Sequence, residues 1–302
     1  MSRFRPRPSK LLAVLAVVAV GAACGGGSGS SGSSDRGSIT VGAKLDPEAQ
    51  LLGQLMAKTL EAKGYTVKTK IPTGNTDITR RALTSGSIDI YWEFTSSGLA
   101  ILKQDPIGDP GQAYDKARQL DAKNGITWLP SASMNDTYAL AVAANGPVKA
   151  QSLSDLASAG TSGLTLCADP EGGFRTDVLP LVTKTYGITF TKVTQIGADL
   201  VPQSVAQGKC QVGIVYSTSF LIPKNNLRVL ADDKRAFGAY TPAPTIKASR
   251  LKDFPKLQSD LAKLTKALDT ATITELNAKA GGDAKKVAQV ADDFLKSKGI
   301  TG

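Results

Sequence analysis

The sequence predicts an α/β protein of two lobes with a cleft between them. Three observations carry this. Strand and helix signals alternate as βαβαβ from residue 39 to residue 91, a similar alternation returns between residues 164 and 230, and a helical tail follows from 255 to 298. Alternation of this kind argues for a mostly parallel sheet in each unit, and two such units leave a crevice at the carboxyl ends of their strands.

Each element has a local reason. Residues 39–42 read as a short buried strand. Asp46, Pro47 and Glu48 then start a helix: Asp46 caps, Pro47 suits the first turn and Glu48 complements the dipole. Leu51, Leu52, Leu55, Met56 and Leu60 continue at helical spacing until Gly64. Residues 66–71 alternate as a strand, 76–84 form a second helix ending before Gly86, and 88–91 form a third strand. In the second unit, strands are expected at 164–168, 190–195, 211–216 and 227–230. Helices are expected at 175–186, with Pro180 arguing for a break or a late start, and at 200–206. In the tail, Leu257, Leu261, Leu264 and Leu268 form one apolar stripe.

The chain has 302 residues, ample for more than one core. It contains no histidine, which excludes Ser-His-Asp and Cys-His catalysis and every metal site needing imidazole. The net charge is +10. Arg3, Arg5, Arg7 and Lys10 lie in a leader without acids, so the remainder carries 10 − 4 = +6. The lysines of the tail alternate with acids along amphipathic helices and read as solvated faces, not as a nucleic-acid surface.

That leader is a targeting signal. A basic stretch to Lys10 precedes an apolar run from Leu11 to Val20, too short to span a bilayer, where about 20 residues are needed. Gly21, Ala22 and Ala23 then precede Cys24, an arrangement similar to the bacterial lipoprotein lipobox with Gly21 in place of the usual Leu. The resemblance implies removal of residues 1–23 and lipidation of Cys24; a plain secretory signal is the alternative. Residues 24–37 are almost all Gly and Ser and form a flexible tether. Its thirteen residues after Cys24 reach roughly 20 Å. Cys167 and Cys210 are the remaining cysteines. In an oxidising compartment an even count favours a disulfide, with two buried thiols as the alternative.

Aromatic residues are only 6% of the chain, so their placement is informative. Four segments set one at or near a predicted strand end: residues 90–97, 135–140, 214–218 and the loop 237–240. Ring faces converging on a cleft attract a desolvated cation by about 0.5–2 kcal/mol each and suit a quaternary ammonium group, which has no N–H to donate.

The motifs VGAKLDPEAQLLGQL, IDIYWEFTSSGL, NDTYALAV, FRTD and IVYSTS, in this order, resemble those of the osmoprotectant-binding proteins of ABC transporters, the glycine betaine/choline/carnitine family of ProX/OpuC type. The similarity runs from Ser38 to Gly302. It implies a type II-like periplasmic-binding-protein fold with a two-segment hinge, in which residues 38–134 and 242–302 form lobe one and 135–241 lobe two. It implies cage tyrosines at Tyr138, Tyr216 and Tyr240 and a fourth cage position at Phe94, where Tyr is usual. Arg175 matches an arginine that binds a ligand carboxylate, and Lys44 and Ser97 match further contacts on that side, Ser97 replacing the usual Thr. The main-chain carbonyl of Asp136 adds partial negative charge near the cation. The segment EGGFR departs from a tighter Glu-Phe-x-x-Arg pattern, and Ser219 stands where an acid is common.

The resemblance implies a monomeric, extracytoplasmic binding protein, held to the membrane by lipidated Cys24. It would deliver a small quaternary ammonium or zwitterionic solute to an ABC permease and its ATPase, without cofactor, metal or nucleic acid. Two alternatives stand beside it: the same module with an amino-acid-like, aromatic or phenolic ligand, and an exported hydrolase. No G-x-S-x-G, phosphate loop or metal-ligand cluster supports an enzyme, and Asp169, Glu171 and Asp177 give no distinctive signal for glycoside hydrolysis.

Overall fold

The computed structural model describes residues 36–302; the leader, Cys24 and most of the Gly/Ser tether lie outside the described residues. The fold is built on two five-stranded mixed sheets that form two lobes. Strands β1 (Ser38–Lys44), β2 (Thr66–Gly74), β3 (Ile90–Phe94), β4 (Ile126–Trp128) and β10 (Pro242–Lys247) form one sheet in the order β2-β1-β3-β10-β4. Strands β5 (Tyr138–Ala143), β6 (Thr165–Ala168), β7 (Lys192–Gln195), β8 (Val212–Tyr216) and β9 (Leu227–Val229) form the other, in the order β7-β6-β8-β5-β9.

The expectation of mostly parallel sheets needs correction. The βαβ crossovers do give the parallel pairs β1–β2, β1–β3, β6–β7 and β6–β8. Each sheet also accepts a strand running the other way. Strand β10 is antiparallel to β3 and β4, and β5 is antiparallel to β8 and β9. The chain therefore passes between the sheets twice, after β4 and again after β9.

The helices form where caps and apolar stripes predict them. In α1 (Pro47–Ala62) the Asp46 side chain accepts from the Ala49 N–H, and Leu51, Leu52, Leu55, Met56 and Leu60 are fully buried. Asn75 caps α2 (Thr76–Ser85), which Gly86 ends in the left-handed conformation. Helices α3 (Thr95–Ile101), α4 (Pro110–Ala122) and α5 (Leu153–Ala159) were not read from the sequence. The helix expected at 175–186 starts late, as α7 (Leu179–Tyr186), because Pro180 fits only a first turn, and a short helix capped by Asp169, α6 (Pro170–Phe174), precedes it. Helices α8 (Val201–Ala206), α9 (Leu221–Lys224) and α10 (Ala248–Leu251) are short. The tail divides into α11 (Leu257–Ala267), α12 (Thr270–Ala280) and α13 (Ala284–Ser297), which pack on α1.

Cys167 on β6 and Cys210 just before β8 form a disulfide with Cα atoms 5.7 Å apart. The bond ties β6 to the segment that enters its parallel neighbour β8. No helix among the described residues is long and apolar enough to cross a membrane.

Candidate functional site

The site lies where the β3, β6 and β8 carboxyl ends meet the start of β5. Sequence reasoning placed Tyr138 near a strand end; the structure places it first on β5. Because β5 runs antiparallel to β8, Tyr138 pairs in register with Tyr216, the last residue of β8. The two rings lie 4.8 Å apart, and Tyr240 meets Tyr138 edge-on at 5.2 Å. Tyr240 reaches this position from the segment before β10, where the Gly238 backbone passes close against α3. A Cβ on Gly238 would stand 2.2 Å from Ser96 Oγ, so only glycine fits.

Phe94 closes β3, three residues beyond the end expected at residue 91. Lys44, at the end of β1, sits with Nζ 5.3 Å from the Phe94 ring centre and 2.5 Å from Glu93 Oε1. Glu93 is fully buried and also accepts from the Tyr91 hydroxyl. Lys44 thus carries its own counter-ion, and one face of Phe94 already holds a cation.

Arg175 follows α6 and points at the opposite lobe. All five guanidinium N–H donors are used: Nε and Nη2 on Asp177, Nη1 on Ser97 Oγ and Glu171, and Nη2 also on Tyr240 Oη at 3.3 Å. Glu171 in turn accepts from the Thr76 N–H at 2.9 Å and the Thr76 hydroxyl at 3.0 Å. Thr76 opens α2, so Glu171 caps a helix belonging to the other sheet. The Arg175–Ser97 and Glu171–Thr76 bonds tie the two walls of the cleft together.

A small cavity of about 20 Å³ touches Lys44, Phe94, Ser97, Asp136, Tyr138, Arg175, Tyr216 and Tyr240 at once. These are all eight ligand-binding positions expected from the sequence. It opens towards a larger cleft of about 690 Å³ lined by Leu45, Thr76, Ile101, Phe174 and Asp199 among others. Phe174 stands at this mouth 71% exposed.

Apart from the main-chain carbonyl of Asp136, sequence reasoning gave no binding role to the acids. Tyr216 donates to Asp169 at 2.6 Å and Tyr240 donates to Asp177 at 2.7 Å. Glu93, Glu171 and Asp46 complete the ring of carboxylates. The available signals were a Glu171–Arg175 spacing of one helical turn and an acid inside the apolar strand at Glu93. Burial is the main cause that pushes the hydroxyls of Tyr138, Tyr216 and Tyr240 well above the ordinary tyrosine value; nearby carboxylates add to it and the Arg175 charge opposes it at Tyr138 and Tyr240. Burial opposes the charge of Glu171, but the Lys44 and Arg175 charges and the Thr76 donors hold its carboxyl below the usual range.

The side chain of Asp136 is itself buried. Its carboxylate accepts from the Thr218 hydroxyl at 2.6 Å, and the same hydroxyl lies 2.6 Å from Glu48 Oε2. One hydroxyl proton cannot serve two carboxylates, so the group holds an additional proton. Burial is the main cause: it raises Asp136 to about 7 and Glu48 well above its ordinary value, with mutual charge repulsion adding to Glu48. The sign follows. The folded chain keeps this proton after the unfolded chain has lost it, so stability from these groups falls as pH rises from about 4 to about 7. Thermal unfolding of wild type minus Glu48→Gln should show that decline; a pH-independent difference would contradict it.

A scan of protein families matches residues 37–297 to the substrate-binding domain of ABC-type glycine betaine transport systems. The chain is 33% identical over 281 residues to the glycine betaine-binding protein YehZ of Escherichia coli K12, covering 87% of this chain and 91% of that one. It is 32% identical over 273 residues to a glycine-betaine-binding protein of Pseudomonas aeruginosa, covering 86% and 87%. Among solved structures, a glycine betaine/carnitine/choline ABC transporter protein superposes with a TM-score of 0.70 at 28% identity, covering 87% of this chain and 99% of that one. A family model spanning nearly all of the described residues, together with these relatives, establishes that the chain belongs to the family of substrate-binding domains of ABC-type glycine betaine transport systems.

Proposed function

We propose that this protein captures a small quaternary ammonium solute in the cage of Tyr138, Tyr216, Tyr240 and Phe94 and hands it to an ABC permease driven by its ATPase. The observation that carries this reading is the convergence of three tyrosine rings and surrounding carboxylates on one cavity. Each ring face contributes about 0.5–2 kcal/mol to a desolvated cation. The names of the relatives support the same ligand class. Lobe one consists of residues 38–134 and 242–302 and lobe two of 135–241, in keeping with the strands each sheet holds. The protein acts as a monomer without catalysis, outside the cytoplasm, anchored through lipidated Cys24.

A second reading changes the anionic end of the ligand. All five donors of Arg175 are engaged, and Lys44 is paired with Glu93, so a ligand carboxylate must displace an internal acceptor. The acids around the cage therefore favour a net cation such as choline over a zwitterion such as glycine betaine.

Calorimetric titration of the purified chain with both solutes tests the two readings. Binding in the micromolar range, about −8 kcal/mol, is expected for at least one of them, and tighter binding of choline supports the second reading. Absence of binding by any quaternary ammonium solute would remove the ligand assignment while leaving the fold intact.

A further inference from the structure

Strand β3 is buried at every position, and one of its residues is an acid, Glu93. A carboxylate taken out of water costs several kcal/mol unless it is paired and hydrogen-bonded. Three donors meet this one. Tyr91, two residues back on the same face of the strand, gives its hydroxyl at 2.5 Å, the Phe94 N–H lies at 2.8 Å, and Lys44 Nζ lies at 2.5 Å.

Glu93 lines neither the cage cavity nor the larger cleft, whereas Lys44 lines both. Lys44 is itself buried, with its ammonium 5.3 Å from the Phe94 ring centre. Glu93 therefore acts on the site without touching a ligand. It fixes the ammonium over the face of Phe94, and it cancels most of the ammonium's charge as seen from the cavity. A ligand carboxylate arriving at Lys44 meets a neutral pair, and a ligand cation in the cage meets little repulsion from it.

We propose that Glu93 is a specificity-determining positioning residue: by holding and neutralising Lys44 it tilts the cage towards a solute that is a net cation and away from one that carries a carboxylate. This rests on the quaternary ammonium reading above and adds to it the residue that sets the choice between charge types. Specificity is a difference of two affinities. One buried charge that acts in opposite directions on the two solutes moves their ratio further than it moves either affinity.

The test is calorimetric titration of the full chain with choline and with glycine betaine. Glu93→Gln keeps the side-chain shape and an acceptor for Tyr91, and leaves Lys44 charged. Choline should bind at least about tenfold more weakly and glycine betaine should hold its wild-type affinity or tighten, so the ratio moves at least about tenfold towards betaine. Lys44→Met/Glu93→Gln removes both charges together and should return the ratio to within about threefold of wild type. Tyr91→Phe leaves the ion pair in place and should lower stability while leaving the ratio within about twofold. Should Glu93→Gln fail to fold, Glu93→Asp decides. It keeps the charge but draws it back from Lys44 by one methylene, and a shift of about threefold in the same direction is expected. A Glu93 that only satisfied its buried donors would, on substitution, lower stability and weaken both solutes alike. That result overturns the proposal, as does an unmoved ratio in the Glu93 variant that folds, or a double variant whose ratio stays with that of Glu93→Gln. If the wild type bound neither solute, the quaternary ammonium reading would fall and this proposal with it. If the wild type binds and the ratio stays put, this proposal alone fails.

Discussion

Tyr216→Ala is expected to weaken binding of a quaternary ammonium solute by about a hundredfold, or abolish it, with the chain still folded. The ring of Tyr216 does more than present a face. It lies tilted against Tyr138, accepts from the Tyr138 hydroxyl at 3.1 Å, and donates to Asp169. Its loss removes one cation–π face, unfixes the Tyr138 ring and leaves a largely buried carboxylate without its donor. Asp169 keeps its bond from the Gly172 N–H, so α6 remains capped and the fold survives. Tyr216→Phe keeps the face and loses only the hydroxyl contacts, so about a tenfold loss is expected. Calorimetry on both variants separates the two contributions. If Tyr216→Ala bound with wild-type affinity while unfolding normally, the cage would not be the ligand site.

Arg175→Ala is expected to destabilise the ligand-free chain by about 3 kcal/mol, the cost of breaking a buried ion network by removing one partner. Asp177 is 5% exposed, and Arg175 meets it through two parallel hydrogen bonds. Without the guanidinium, Asp177 and Glu171 both lose the cation they share, and the bond to Ser97 that crosses the cleft is gone. Arg175→Lys keeps a charge but offers three donors in place of a planar fork, so only part of the stability returns. Urea unfolding of the three proteins measures this directly. A change below about 1 kcal/mol in Arg175→Ala would mean that the network is no stronger than a surface ion pair.

Much of the fold was legible because its signals are local. The cap at Asp46, the apolar stripe of α1 and the glycine after α2 each act within one turn of helix. The motifs carrying Tyr138, Arg175, Tyr216 and Tyr240 were legible for a similar reason, being contiguous strings. Strands β5 and β10 were harder. Their partners are distant in sequence, and nothing in an apolar run such as Tyr138–Ala143 states which way the strand will lie in its sheet. The pairing of α6 with α2 through Glu171 and Thr76 spans 95 positions and has no local signal.

By itself, then, the sequence determined that aromatic and cationic residues sit at the ends of strands in a two-lobed α/β chain. The tertiary structure decided what surrounds them. Antiparallel β5 brings Tyr138 against Tyr216, and Arg175 lies half-buried among five acceptor atoms of the protein itself. The physical reason is that ring geometry and charge balance depend on distance in space. Carboxylates from β3, α6 and the loop after it meet at the cage only once both sheets have formed.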